Sequence, residues 1–133
     1  MRSKTLCAAN ILSTIYSLAL LWIFGEGLFS SGDLLESMSL LADISRYLSD
    51  YVIILYVVIL LLIVHIGFIT LGTILGWLAF ATKKSGPAKT SAILYLLATI
   101  CFPIYIIFGL PITIIGFIGA GKQKQINISV GEY

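Results

Sequence analysis

The sequence predicts an all-α polytopic integral membrane protein, a bundle of four transmembrane helices, and three observations carry that prediction. Of 133 residues, 59% are hydrophobic and only 11% charged, whereas a soluble domain carries about 25% charged residues. Residues 51–82 run without one Asp, Glu, Lys or Arg, well beyond the roughly 20 apolar residues that cross a bilayer. The charges are also segregated. Arg2 and Lys4 precede the first apolar run, Lys83, Lys84 and Lys89 follow the second, and Lys122 and Lys124 follow the last. Residues 26–50 instead hold Glu26, Asp33, Glu36, Asp43 and Asp50 against Arg46 alone. Basic residues in short loops stay on the cytoplasmic side. The three basic segments, and with them both termini, are therefore expected in the cytoplasm and residues 30–50 outside, which makes the chain a multi-pass protein of the cell membrane. At this length one domain is expected, 1–133, without a separate soluble catalytic module.

The first span is expected at 8–29, with Trp22 and Phe24 near its outer end and Tyr16 deeper as interfacial aromatics. Its apolar run is longer than a signal peptide's core and no A-x-A site follows, so it reads as a retained helix. Asn10, Ser13, Thr14 and Ser17 lie three to four apart and form one polar stripe. Such hydroxyl stripes bond neighbouring helices or their own backbone. Glu26, between Gly25 and Gly27, reads as a solvated end charge, with an ion or proton ligand at a pocket mouth as the functional alternative.

Residues 33–49 read as a short amphipathic outer helix: Asp33 and Glu36 resemble a capping box, and Leu34, Met38, Leu41, Ile44 and Leu48 keep helical spacing. Residues 51–82 form one over-long helix, because splitting it would place Lys83 and Lys84 outside. Thirty-two residues reach about 48 Å against a hydrocarbon core of about 30 Å. Residues 83–89, KKSGPAK, read as a cytoplasmic turn broken at Gly86-Pro87. Residues 90–121 contain Pro103 and Pro111. As a hairpin, with arms at about 90–104 and 107–121 and a turn between Cys101 and Pro111, they return Lys122 and Lys124 to the cytoplasm. As one kinked helix they would give three spans. The tail 122–133 reads as polar and frayed.

His65 is the sharpest candidate functional residue, since an ionisable group in a span normally faces the bundle interior with a partner. A neutral ring bonded to Thr70, Thr99 or a backbone carbonyl is the plainer reading, and proton relay the sharper one. A lone His builds no metal site. GTILG, Gly72 to Gly76, and GFIGA, Gly116 to Ala120, leave flat grooves for close helix approach, either to each other within the chain or in a homodimer. Cys7 and Cys101 read as small buried hydrophobes. No nucleophile–base pair, paired carboxylates or phosphate loop occurs, so no enzymatic activity, cofactor or nucleic-acid partner is expected.

With its basic start MRSK, the turn KKSGPAKTSAILYLL and the closing GLPITIIGFIGAGKQK, the layout resembles that of small uncharacterised bacterial membrane proteins with four predicted spans, common in Gram-positive genomes. The resemblance implies residence in the bacterial inner membrane and an accessory or envelope role. From the residues, the leading expectation is a non-enzymatic partner of other membrane proteins. The alternatives are an immunity protein against a membrane-active toxin or bacteriocin, and a small transporter or channel using His65 and Glu26.

Overall fold

The computed structural model of the protein describes residues 2–29 and 49–131. The expected amphipathic segment 33–49 lies outside the described residues except for its last residue. Among the described residues four α-helices follow in order: α1 (Lys4–Phe29), α2 (Ser49–Thr82), α3 (Ser85–Cys101) and, after a 3-10 turn at Pro103–Tyr105, α4 (Ile106–Val130). Three segments, Lys4–Gly25, Ile53–Thr82 and Pro103–Val130, are long and apolar enough to cross a membrane. The fold is an all-α helical membrane bundle.

The helices pack as a ring. α1 and α3 each lie against both α2 and α4, which places α1 and α3 on opposite corners. α3, at 17 residues the shortest, buries Ala88, Ser91, Ala92, Tyr95, Ala98 and Thr99. Those positions recur every three to four residues, so they form one stripe, and all but Tyr95 are small. Lipid is as apolar as the helix faces, so close packing and interhelical hydrogen bonds have to hold such a bundle together. The core has two apolar layers. Leu6, Ala79, Ala88 and Ala120 form one near the basic end, and Ile69, Tyr95, Ala98 and Ile112 form the other. Between them lie the buried polar residues Asn10, Ser13 and Ser91.

Helix ends differ from the sequence expectation at several points. The turn before α3 is Lys83-Lys84, not Gly86-Pro87. Lys83 takes a left-handed φ of 58° and Lys84 is extended. Pro87 falls inside the first turn of α3, where a backbone N–H has no intrahelical partner and proline costs little. The expected arm 90–104 thus runs 85–101. α4 continues to Val130 rather than ending at 121 in a frayed tail, because its extra turns are held from the side. Gln123 Nε2 and Asn127 Nδ2 both donate to the Lys83 carbonyl, at 3.3 and 2.9 Å. The same two bonds fix the unusual backbone of Lys83. Gly131, at φ 72°, closes α4 in the left-handed cap position.

The break between α3 and α4 falls at Phe102–Tyr105, and the two helices pack against each other as a hairpin. Pro103 starts the 3-10 turn. Pro111 lies within α4; it removes one backbone donor near the start of the helix without ending it.

Candidate functional site

His65 is fully buried, seventeen residues before the end of α2. Its Nδ1 lies 2.7 Å from the Ala98 carbonyl oxygen. A carbonyl only accepts, so Nδ1 carries the proton. The last-turn carbonyls of a helix lack full intrahelical partners and sit at its negative end. Ala98 of α3 is such a residue; its oxygen also accepts from Phe102 N–H at 3.2 Å. His65 Nε2 lies 2.9 Å from the Tyr16 hydroxyl of α1. In the neutral ring Nε2 accepts, so Tyr16 donates. One histidine therefore ties α1, α2 and α3. Of the partners considered from sequence, the backbone carbonyl is the one used. Thr99 Oγ1 donates to the Tyr95 carbonyl, and the Thr70 hydroxyl pairs with Ser17.

Aromatic rings surround this pair. Tyr105 stacks on His65 at 5.7 Å between ring centroids, and Phe102 stacks on Tyr105 at 5.5 Å. Phe108 stacks on Tyr16 at 5.9 Å. Beside them an apolar cleft of about 450 Å³ opens between α1 and α4, with Leu12, Ile15, Ile23, Ile107 and Pro111 along its walls and the Tyr16 and Tyr105 rings at its edge.

Glu26 lies on α1, and its side chain falls outside the described residues. Among the described residues no group of three His, Cys, Asp or Glu could hold a metal ion.

The two small-residue motifs do not meet each other. Both press on α3 from opposite sides, and Tyr95 fills the space between them. A Cβ on Gly72 would stand 2.7 Å from Tyr95 Cε1, and one on Gly116 would stand 3.4 Å from Tyr95 Cδ2. Gly76 faces α1 and α3: its carbonyl accepts from Asn10 Nδ2 at 2.8 Å, and a Cβ there would collide with Asn10 Oδ1. Asn10 Oδ1 is buried without a hydrogen-bond donor. It sits where that Cβ would project, against the Gly76 Cα–H, a weak contact of the kind glycine permits. Ala120 belongs to the apolar layer near the basic end.

Sequence reasoning missed three positions. Tyr95, 1% exposed, donates its hydroxyl to Ser13 at 2.9 Å, crossing the centre of the ring from α3 to α1. Gly119, one turn beyond Gly116, makes the closest backbone approach: a Cβ there would stand 2.8 Å from the Leu6 backbone. Gln123, fully buried, accepts from Ser3 N–H at 3.0 Å while donating to Lys83. Only its position one turn past Gly119 on α4 could have signalled that role.

No family model matches the chain, and neither a curated protein nor a solved structure matches it.

Proposed function

We propose that the chain is a small, non-enzymatic integral protein of the bacterial cell membrane, with both termini cytoplasmic, that serves as an accessory partner of other membrane proteins. The observation that carries this reading is the outer half of α2. Ile53, Ile54, Leu55, Val57, Val58, Ile59 and Leu60 are all exposed, and these seven residues point around the whole helix. Large exposed apolar surfaces mark membrane or protein contact. The ring of helices packs on the other half of α2, and among the described residues no helix packs on this one, which we read as a surface for another membrane helix. The polar side chains inside the bundle also support an accessory role. Asn10, Ser13, Ser17, Thr70 and Ser91 are engaged in bonds between helices or to backbone, and such a network builds a scaffold rather than a path. Affinity capture of the full chain from mild detergent should recover a membrane-protein partner, and Ile54→Glu with Val58→Glu should abolish that recovery while the bundle stays folded. A stable monomer that never retains a partner would contradict the reading.

A second reading, a small transporter using His65, draws support from the hydrogen-bonded Tyr16–His65 pair beside the apolar cleft. It requires that His65→Ala abolish a proton-coupled flux in liposomes.

A further inference from the structure

The basic end of the bundle carries a second, independent arrangement. Between the start of α1 and the end of α4 lies a cleft of about 580 Å³ whose lining includes Arg2, Lys4, Thr5, Lys122 and Ser129. It holds three cationic side chains and the hydroxyls of Ser3, Thr5 and Ser129. No carboxylate lines it among the described residues: every acid of the sequence falls within residues 26–50 except Glu132, which lies outside the described residues. Lys122 Nζ donates to Thr5 Oγ1 at 3.2 Å, which leaves it two further N–H groups. The Arg2 guanidinium lies over the Phe80 ring, 5.2 Å from its centroid, a cation–π contact that positions the group.

Arg2 and Lys4 also stand at the mouth of a second hollow. This trough, of about 360 Å³, is walled by Cys7, Ala8 and Ile11 of α1 and Phe80 of α2. A cationic mouth thus opens into an apolar trough on the flank of a helix long and apolar enough to cross a membrane.

We propose that this composite hollow is a binding site for one anionic glycerophospholipid of the leaflet at the basic end. Arg2, Lys4 and Lys122 would receive the phosphate, and the trough one acyl chain. Charge complementarity selects an anionic headgroup, since basic pockets at the ends of membrane helices attract anionic lipid. The apolar hollow that shares Arg2 and Lys4 with the cleft selects a lipid over a free phosphate, because a free phosphate leaves its apolar walls unfilled. The inference rests on the membrane reading and on neither functional proposal.

The test uses the full chain, purified in mild detergent and stripped of lipid, with binding read by native mass spectrometry. Dioleoyl phosphatidylglycerol is expected to bind at least about tenfold tighter than dioleoyl phosphatidylcholine, on the scale of roughly fivefold per cation near a headgroup. Glycerol 3-phosphate should compete weakly. The triple variant Arg2→Gln, Lys4→Gln, Lys122→Gln should lose the preference. The double variant Lys84→Gln, Lys89→Gln, which removes charge at the same end but away from the cleft, should keep it. Ala8→Trp should weaken phosphatidylglycerol binding by filling the trough. All three side chains of the triple variant are exposed, so helicity measured in parallel should be unchanged. Equal binding of the two lipids, retention of the preference by the triple variant, or competition by glycerol 3-phosphate as strong as by the lipid would each overturn the proposal. Release of the chain from membranes by carbonate wash would instead overturn the membrane reading beneath it.

Discussion

His65 and Tyr95 are the two side chains on which the described bundle turns. Removing the imidazole strands two groups at once, the Tyr16 hydroxyl and one lone pair of the Ala98 carbonyl, and a buried polar group left without its partner costs about 1–3 kcal/mol. His65→Ala should therefore lower stability by about 2–4 kcal/mol, measured by denaturation in detergent micelles, whereas His65→Asn, whose Nδ2 stands near the place of Nδ1 and can still donate to Ala98, should recover part of the loss. Tyr95→Phe removes one interhelical hydrogen bond to Ser13 and should cost about 0.6–1 kcal/mol. Tyr95→Ala empties the space between the two glycine faces and should cost about 3–5 kcal/mol. A smaller loss for the alanine than for the phenylalanine variant would contradict the packing described. Of these residues only His65 stands out in the sequence, because an ionisable group in an uncharged run of 32 is conspicuous. Tyr16 and Tyr95 look like any other aromatic near a membrane. Their roles depend on the register between helices, which a single chain's residue order does not reveal.

At the scale of the helix, the glycines separate into those that touch and those that do not. Gly76 and Gly119 lie against Asn10 and the Leu6 backbone, while a Cβ on Gly67 would meet nothing within 4 Å. Gly76→Ala and Gly119→Ala should each destabilise the bundle by about 1–3 kcal/mol through overpacking. Gly67→Ala should leave stability unchanged or raise it by about 0.5–1 kcal/mol, the usual gain for replacing glycine inside a helix. Thermal denaturation of the three variants in one detergent checks the order. Glycines four apart on α2 share a side, and Gly72 and Gly76 lie against Tyr95 and Asn10. The tighter contact at Gly119 escaped notice because its partner is backbone, and backbone approach leaves no mark in residue type. The turn before α3 was misplaced for a related reason. Gly-Pro is a strong local breaker, but a proline in the first helical turn breaks nothing, and the residue that takes the left-handed conformation is a lysine held by two amides from α4.

At the scale of the molecule, the central claim is a four-helix membrane bundle closed by the α3–α4 hairpin, with the segments bearing Lys4, Lys84 and Lys124 at one end. The Ser3–Gln123 and Gln123–Lys83 bonds bring the start of α1, the end of α2 and the far part of α4 to one level, and Gln123→Ala should loosen all three together, seen as faster proteolysis after Lys83, Lys84 and Lys124. The hairpin was readable from charge, because only a return of the chain keeps its last lysines with the others. Its tight turn was readable only to within ten residues, since either proline could have made it. Cysteine accessibility in sealed vesicles tests the claim most directly, with Cys7 and Cys101 replaced by serine and single cysteines placed at Lys4, Lys84, Lys124 and Ile104. The bundle predicts that positions 4, 84 and 124 react with an impermeant maleimide from the same side and that 104 does not react from that side. Labelling of 124 from the side opposite to 84 would mean that α3 and α4 form one crossing, and the account would be wrong.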